Sequence, residues 1–197
     1  MIDQARIENF FKRFPLLLGT IEKLNAAGIQ WMIGGSSCLY LLGNERLPDD
    51  VDIFFRNPDH DGVDKLFGIS SYTHDAKEGP VRNSNPNNDH SIQFTSSLII
   101  EVDGSKYDLA VTDAIIGSRI SGHYLNQTFW LMPPEEVLLL KAILRRGKDV
   151  GKKDLEDIQN FLRIYKELDI EYLERRIDGL QAKIRVGSTF ANIKIVA

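Results

Sequence analysis

Residues 29–55 read IQWMIGGSSCLYLLGNERLPDDVDIFF, and their order of apolar, glycine and acidic positions decides the fold. Ile29 to Ile33 is a short apolar run that reads as a strand. Gly34-Gly35 ends it, and Ser36 to Leu42 reads as a short helix with Leu39 and Leu42 on its buried side. Gly43-Asn44 stops that helix. After Pro48-Asp49, Asp50 to Phe55 forms a second strand in which Asp50 and Asp52 face one way and Val51 and Ile53 the other. Carboxylates at i and i+2 share a face, about 7 Å apart along the strand.

Upstream, Ile7, Phe10, Phe11, Phe14, Leu17, Leu18 and Ile21 recur at helical steps, so residues 4–26 read as a helix. Pro15 breaks or kinks it, and Gly28 suits its end. Downstream, residues 58–68 read as a helix and the polar, turn-rich residues 78–90 as a loop. Ser91–Thr95, Leu98–Val102 and Lys106–Val111 read as strands, with Asp103-Gly104 as a hairpin turn between the last two. Residues 113–130 give no clear pattern. Pro133-Pro134 opens a helix over 135–146, followed by helices over 152–167 and 169–184, and the last dozen residues read as a strand or a loose tail. The expected class is α+β. It has a short mixed central sheet with helices packed on it, a core over residues 1–130 and a helical segment over 131–197.

Bulk properties narrow the functional classes. The chain has 197 residues and a net charge of −4. Residues 1–134 carry 11 Lys and Arg against 17 Asp and Glu, and residues 135–197 carry 13 against 11. Neither half has the basic surplus that duplex DNA binding demands. No apolar run approaches the roughly 18 residues of a membrane span, and the N-terminus lacks an apolar signal core. A single cysteine, Cys38, excludes an internal disulfide and a cysteine metal cluster. A cytoplasmic protein without a membrane partner is the simple reading. The four histidines have no zinc-ligand spacing.

Two elements carry chemistry. A strand, two glycines and a serine opening a helix present backbone N–H groups that attract phosphate, with Ser36 and Ser37 as hydroxyl donors. The same turn also reads as a plain connection with Ser36 as N-cap. Asp50 and Asp52 on an interior strand repel each other unless a cation such as Mg²⁺ neutralises them, although solvated acids at a strand start fit the pattern too. Asp108 is the candidate third carboxylate, because the apolar residues after it suggest a central strand. Glu101 on the hairpin partner is the alternative.

Gly34-Gly35-Ser36, Asp50-Val51-Asp52-Ile53 and Asp108 in this order resemble the DNA-polymerase-beta-like nucleotidyltransferase superfamily, over roughly residues 29–160. The tail, with Pro133-Pro134-Glu135-Glu136, Lys141 and Lys152 to Ile158, is similar to that of its small prokaryotic members, the toxin-like and aminoglycoside-modifying branches. The resemblance implies that Gly34, Gly35, Ser36 and Ser37 hold NTP phosphates, with Arg46 nearby. It further implies that Asp50, Asp52 and Asp108 are catalytic and bind two Mg²⁺ ions. Lys141 is the lysine that would face the triphosphate, with Lys153 behind it, while Asp154 and Asp157 would cap or bridge the helix pair. The implied reaction moves a nucleotidyl group from an NTP to a hydroxyl on a small molecule, a protein or a tRNA end. A toxin–antitoxin or defence component acting through a protein partner is one alternative, and a non-catalytic nucleotide-binding protein is another. Asp49 departs from the family pattern, which often has serine or threonine there.

Overall fold

The computed structural model describes residues 2–69, 73–75, 79–83, 91–96, 98–147 and 151–191, with the backbone alone for 73–75 and 79–83. The amphipathic N-terminus forms two helices, α1 (Gln4–Arg13) and α2 (Leu17–Ala26), separated at Phe14-Pro15. Asp3 caps α1 by accepting a hydrogen bond from the Arg6 N–H. Gly28, at φ 67°, ends α2, and the Ile29 N–H returns to the Leu24 carbonyl, a glycine-dependent closure.

The next segment follows the expected order: β1 (Trp31–Ile33), α3 (Gly35–Leu41) and β2 (Val51–Phe55). All three residues of β1 are fully buried, as a central strand requires. The guanidinium of Arg6 reaches across from α1 and donates to the Tyr40 and Asn44 carbonyls, which ties α1 to the end of α3. A 3₁₀ turn leads into α4 (His60–Phe67), closed by Gly68 in the left-handed region.

Beyond α4 come β3 (Thr73–Asp75), β4 (Gly79–Asn83), β5 (Ile92–Thr95), β6 (Ile99–Val102) and β7 (Ser105–Asp108). The expected loop over 78–90 is therefore partly strand, because β4 pairs antiparallel with β3. Residues 84–90 of that loop, and 78 before it, lie outside the described residues. Asp103 and Gly104, at φ 51° and 74°, form the hairpin turn between β6 and β7. The unpatterned residues 113–130 resolve into α5 (Asp113–Gly117) and a hairpin of β8 (Ile120–Tyr124) and β9 (Gln127–Leu131). Among the described residues the tail has four helices where three were expected: α6 (Pro134–Leu144), α7 (Asp154–Ile164), α8 (Ile170–Gly179) and α9 (Lys183–Phe190).

The main sheet has five strands in the order β5-β2-β1-β9-β8. It is mixed: β1 runs antiparallel to β2 and parallel to β9, while β5 runs parallel to β2. The β3–β4 and β6–β7 pairs are separate two-stranded ribbons. The expected central position for β7 is not met, because β5 fills the place beside β2.

Helix α6 explains how the tail joins the sheet. Its Val137, Leu138, Leu139, Leu140, Ala142 and Ile143 point in all directions and all are buried. A helix apolar on every side must be enclosed. It packs on α3, α7, α8 and α9. No helix among the described residues is long and apolar enough to cross a membrane. Leu139→Ala is expected to lower unfolding free energy by about 2–5 kcal/mol through lost burial and a residual cavity, read as a lower urea midpoint at unchanged slope.

Candidate functional site

The glycine turn and the acidic strand are locked to each other by main-chain contacts. The Gly34 N–H donates to the Asp52 carbonyl at 2.8 Å, and the Ser37 hydroxyl donates to the Asp50 carbonyl at 2.7 Å. A Cβ on Gly34 would strike the Phe54 ring, and one on Gly35 would strike the Asp52 carboxylate. Gly35 also has φ 56°, so two separate constraints favour glycine there. The turn thus presses its main chain against the acidic side chain, which only glycine allows.

Asp50 and Asp52 line a cavity of about 320 Å³ together with Gly35, Ser36, Arg46, Leu47, Asp49, Leu140, Lys141, Arg146, Lys152, Lys153 and Asp154. Strand β2 supplies Asp52, and Asp50 lies immediately before it instead of within it as expected; α3 supplies the glycine and serine, and the cations come from the loop before β2 (Arg46), from α6 (Lys141), from just after α6 (Arg146) and from just before α7 (Lys152 and Lys153). Burial, then the charge on Asp50, pushes the Asp52 carboxyl up to about 7, against the lowering influence of Lys152, Arg146 and Lys141. The Lys152 ammonium stands 4.0 Å from an Asp50 carboxylate oxygen. Two carboxylates opening into one cavity are donors of the kind by which Mg²⁺ is held, through one or two carboxylates plus phosphate oxygens.

Beneath this cavity lies a cluster of buried charges. The Lys141 ammonium donates to Asp154 at 3.1 Å, to Asp157 at 2.9 Å and to the Ser36 hydroxyl at 3.2 Å. Arg46 grips Asp157 with two bonds, Nε at 3.0 Å and Nη2 at 2.6 Å, and Nη2 also reaches the Ser36 oxygen at 2.9 Å. Arg146 meets Asp154 through both its main-chain N–H and its Nε. Lys141, Asp154 and Asp157 are 5%, 1% and 1% exposed, so every charge is paired where water does not reach. Burial acts to raise Asp154 and Asp157, but the Lys141, Arg146 and Arg46 partners override it and hold both below the ordinary carboxylate value.

The expected site residues are therefore distributed as follows. Gly35, Ser36, Asp50, Asp52, Arg46 and Lys141 surround one cavity. Ser37 is engaged with the Asp50 carbonyl, and all three Lys141 hydrogens have acceptors within the cluster. Lys153 lines the cavity as well. Asp154 and Asp157 form the helix-pair bridges expected of them. Asp108 sits exposed at the end of β7, where its carboxylate accepts the Ala110 N–H, and it does not line the cavity. Glu101 is exposed and opposite Lys106 in the same ribbon. The expected convergence of three carboxylates is not seen: among the described residues, no three His, Cys, Asp or Glu side chains group so as to hold a metal. Gln93 occupies the position on β5 that pairs with Asp52. Cys38 is fully buried, its thiol donates to the Met132 carbonyl, and burial keeps it protonated.

Lys152 and Arg146 are the cavity residues that sequence reasoning missed. The signal for Arg146 was its place just after α6, two turns of chain before Asp154.

The sequence profile described as "Nucleotidyl transferase of unknown function (DUF2204)" matches residues 14–184. No curated protein matches. Among solved structures, a protein of Thermotoga maritima described as a nucleotidyltransferase is similar with a TM-score of 0.56 at 14% identity, over 78% of this chain and 94% of that one. The antibiotic-resistance factor ANT(2'')-Ia aligns over 91% of this chain and 90% of its own, with a TM-score of 0.48 at 13% identity. A nucleotidyltransferase-like antigenic protein of Paracoccidioides brasiliensis aligns over 87% and 88%, with a TM-score of 0.39 at 15% identity.

Two predictions follow the charges. Asp154 and Asp157 have depressed values in the folded protein, so their stabilisation is present above the ordinary value of 3.8 and is lost as pH falls below it. Asp157→Ala, which leaves Arg46 and Lys141 with one partner fewer, should cost about 3–5 kcal/mol near pH 7 and about 1 kcal/mol less near pH 3, read by urea unfolding at the two pH values. For Asp52 the sign is opposite: its raised value means that ionisation disfavours the fold as pH climbs from 3.8 towards 7. In metal-free protein its carboxyl carbon should titrate near pH 7 by NMR, and Asp50→Asn should move that midpoint down.

Proposed function

The chain belongs to the family of nucleotidyl transferases described as DUF2204, and from that premise we propose that it moves a nucleotidyl group from an NTP to an acceptor hydroxyl with Mg²⁺, releasing pyrophosphate. The observation that carries this reading is that Asp50, immediately before β2, and Asp52, within it, open with Gly35 into one cavity ringed by cations. The two carboxylates would hold Mg²⁺, with Asp52 giving up its proton on binding. Mg²⁺ bound there would supply Lewis acidity towards the phosphoryl group and towards an attacking oxygen.

The remaining work falls to the chain's own groups. Gly35, lacking a side chain, lets the main chain of the turn lie directly against the Asp52 carboxylate at the cavity wall. Lys152, Lys153 and the outer edge of Arg46 offer positive charge to the triphosphate and to the pyrophosphate that leaves. Leu47 and Leu140 give the cavity an apolar wall. Asp108 enters this proposal as the candidate that the sequence offers for a third ligand, and its ribbon would have to approach β2 for it to act. The acceptor would be a small molecule, a protein side chain or a tRNA end, since neither half of the chain has the basic surplus of a duplex binder.

The test is incubation with each radiolabelled NTP, Mg²⁺ and a cell extract. Label transfer should require Mg²⁺ and fall by about 10²-fold or more in Asp52→Ala. Absence of both transfer and nucleotide binding with every NTP rejects the reading. Asp108→Asn, assayed beside it, decides that residue: a comparable loss makes it part of the site, and wild-type transfer removes it.

A further inference from the structure

We propose that the cavity between α7, the start of α8 and α9 is a second ligand site, separate from the Asp50–Asp52 cavity, and that it takes a small amphipathic organic anion, one anionic group on an apolar body. The inference does not rest on the nucleotide reading.

The cavity measures about 670 Å³ and shares no lining residue with the one at Asp52. The two lie on different faces of the same elements. Arg146 and Asp154 face the first cavity, and their sequence neighbours Arg145 and Leu155 face the second. Along α7, Leu155, Gln159, Leu162 and Arg163 recur at helical steps on the second face, away from the buried Asp154 and Asp157. Leu168 and Ile170 close the apolar wall from the start of α8, and Ser188 of α9 lies opposite. Leu155 is 43% exposed there.

Three cations line this cavity and no carboxylate does: Arg145, Arg163 and Lys166. None of the three forms an ion pair among the described residues. The Lys166 ammonium donates to the Leu162 carbonyl at 3.1 Å, and Arg163 reaches only the Asn160 amide oxygen at 3.4 Å. Arg145, in the left-handed region at the end of α6, donates through Nη2 to the Arg185 carbonyl and, at 2.8 Å, to the Ser188 hydroxyl. Its Nε is buried with no acceptor. Asp103, the acid nearest in influence, is held by Arg185 at 2.6 Å. Burial and the Arg185 charge keep the Arg145 guanidinium below its ordinary value, against Asp103 and Tyr107. An anion would relieve that strain of like charge. Glu156 and Glu167 adjoin lining residues in sequence, yet neither pairs with these cations. The contrast with the first cavity is sharp, since there every deep cation has an aspartate.

The lining selects the kind of ligand. A bare inorganic anion would leave the leucine and isoleucine wall unused, and a neutral apolar molecule would leave three charges without a counter-ion. A nucleic-acid strand calls for aromatic faces on which bases stack. The Tyr165 ring in this cavity is already stacked on Phe161 at 4.8 Å. Residues 192–197, NIKIVA, which follow α9, bring a lysine and no acidic side chain, so they do not supply the missing charge. The volume falls within the span of about 300–1,000 Å³ usual for small-molecule sites.

The test measures fluorescence binding of anilinonaphthalene sulfonate and of phenylnaphthylamine, the same ring body without the sulfonate, to the full chain. The sulfonate should bind wild type at least about tenfold more tightly than the neutral dye, because only it makes charge-assisted bonds. Arg145→Gln should weaken the sulfonate about tenfold, as loss of a hydrogen bond to a charged group does. It should leave the neutral dye within about twofold. Leu155→Asp should weaken both dyes. Lys152→Ala, at the other cavity, should leave the sulfonate within about twofold, as an independent site does. Octanoate should displace the sulfonate, and octanol should not. Equal affinity for the two dyes, or unchanged sulfonate affinity in Arg145→Gln, overturns the proposal. So does a tenfold loss in Lys152→Ala, which would move the dye to the Asp52 cavity. Displacement by an acidic leucine–glutamate peptide at lower concentration than octanoate overturns the small ligand in favour of a protein segment. Sulfonate affinity that falls as the chain dimerises, read by sedimentation, overturns it in favour of a second copy. Urea midpoints check that each variant folds, and if Arg145→Gln does not, the Arg163→Gln/Lys166→Gln double variant takes its place with the same expected loss.

Discussion

A lysine buried between two aspartates is unstable in any arrangement that leaves one of the three unpaired, and in this protein that constraint organises the site. Lys141 belongs to α6, the helix enclosed on all sides, while Asp154 and Asp157 belong to α7. Arg46 comes from the loop before β2, Arg146 from the end of α6 and Ser36 from the glycine turn. Low exposure raises the cost of any mismatch, so the relative placement of these five segments tolerates little variation. The hydrophobic enclosure of α6 supplies the driving force, and the charges specify one geometry within it.

The carboxylate pair lives on the edge of that cluster. Asp52 would ionise readily in water, but burial and Asp50 keep it near neutrality's midpoint, while Lys152, Arg146 and Lys141 pull the other way. Under the proposed function, a cation would relieve that repulsion and phosphate would meet the surrounding positive charge. The same field explains why Asp154 and Asp157, only a short distance deeper, behave oppositely: each has cations at hydrogen-bond distance, whereas the Asp50–Asp52 pair has them only at longer range.

Much of the fold was readable because local rules and burial agreed. The helix break at Pro15, the glycine stop at Gly28, the β1-α3-β2 order and the Asp103-Gly104 hairpin each follow from one or two residues whose backbone preferences are strong. Residues 113–130 were not readable, because β8 shows no strict alternation and its turn uses Leu125 at positive φ, which no composition rule anticipates. The end of α6 likewise falls at Arg145 in the left-handed region and not at Gly147. In the candidate site, the spacing of Asp50 and Asp52 pointed to one side of the chain, and both line the same cavity. The placement of Asp108 was not, since the apolar residues after it fit a ribbon strand as well as a central one.

The sequence by itself determined the glycine turn, the close spacing of two acids at the entry to a strand and the apolar helix that must be enclosed, because each depends on near-neighbour spacing and backbone sterics. Only the tertiary structure decided which strand stands beside β2, that Ser36, Ser37 and Lys141 are fully engaged with protein partners, and that Lys152 stands free of the cluster at the cavity rim. Those outcomes depend on hydrogen-bond capacity being filled by residues on other elements, 13 positions away for Ser37 and 121 for the Ser36–Asp157 contact. A hydroxyl or an ammonium has the same chemistry in the sequence whether or not its partners have already arrived.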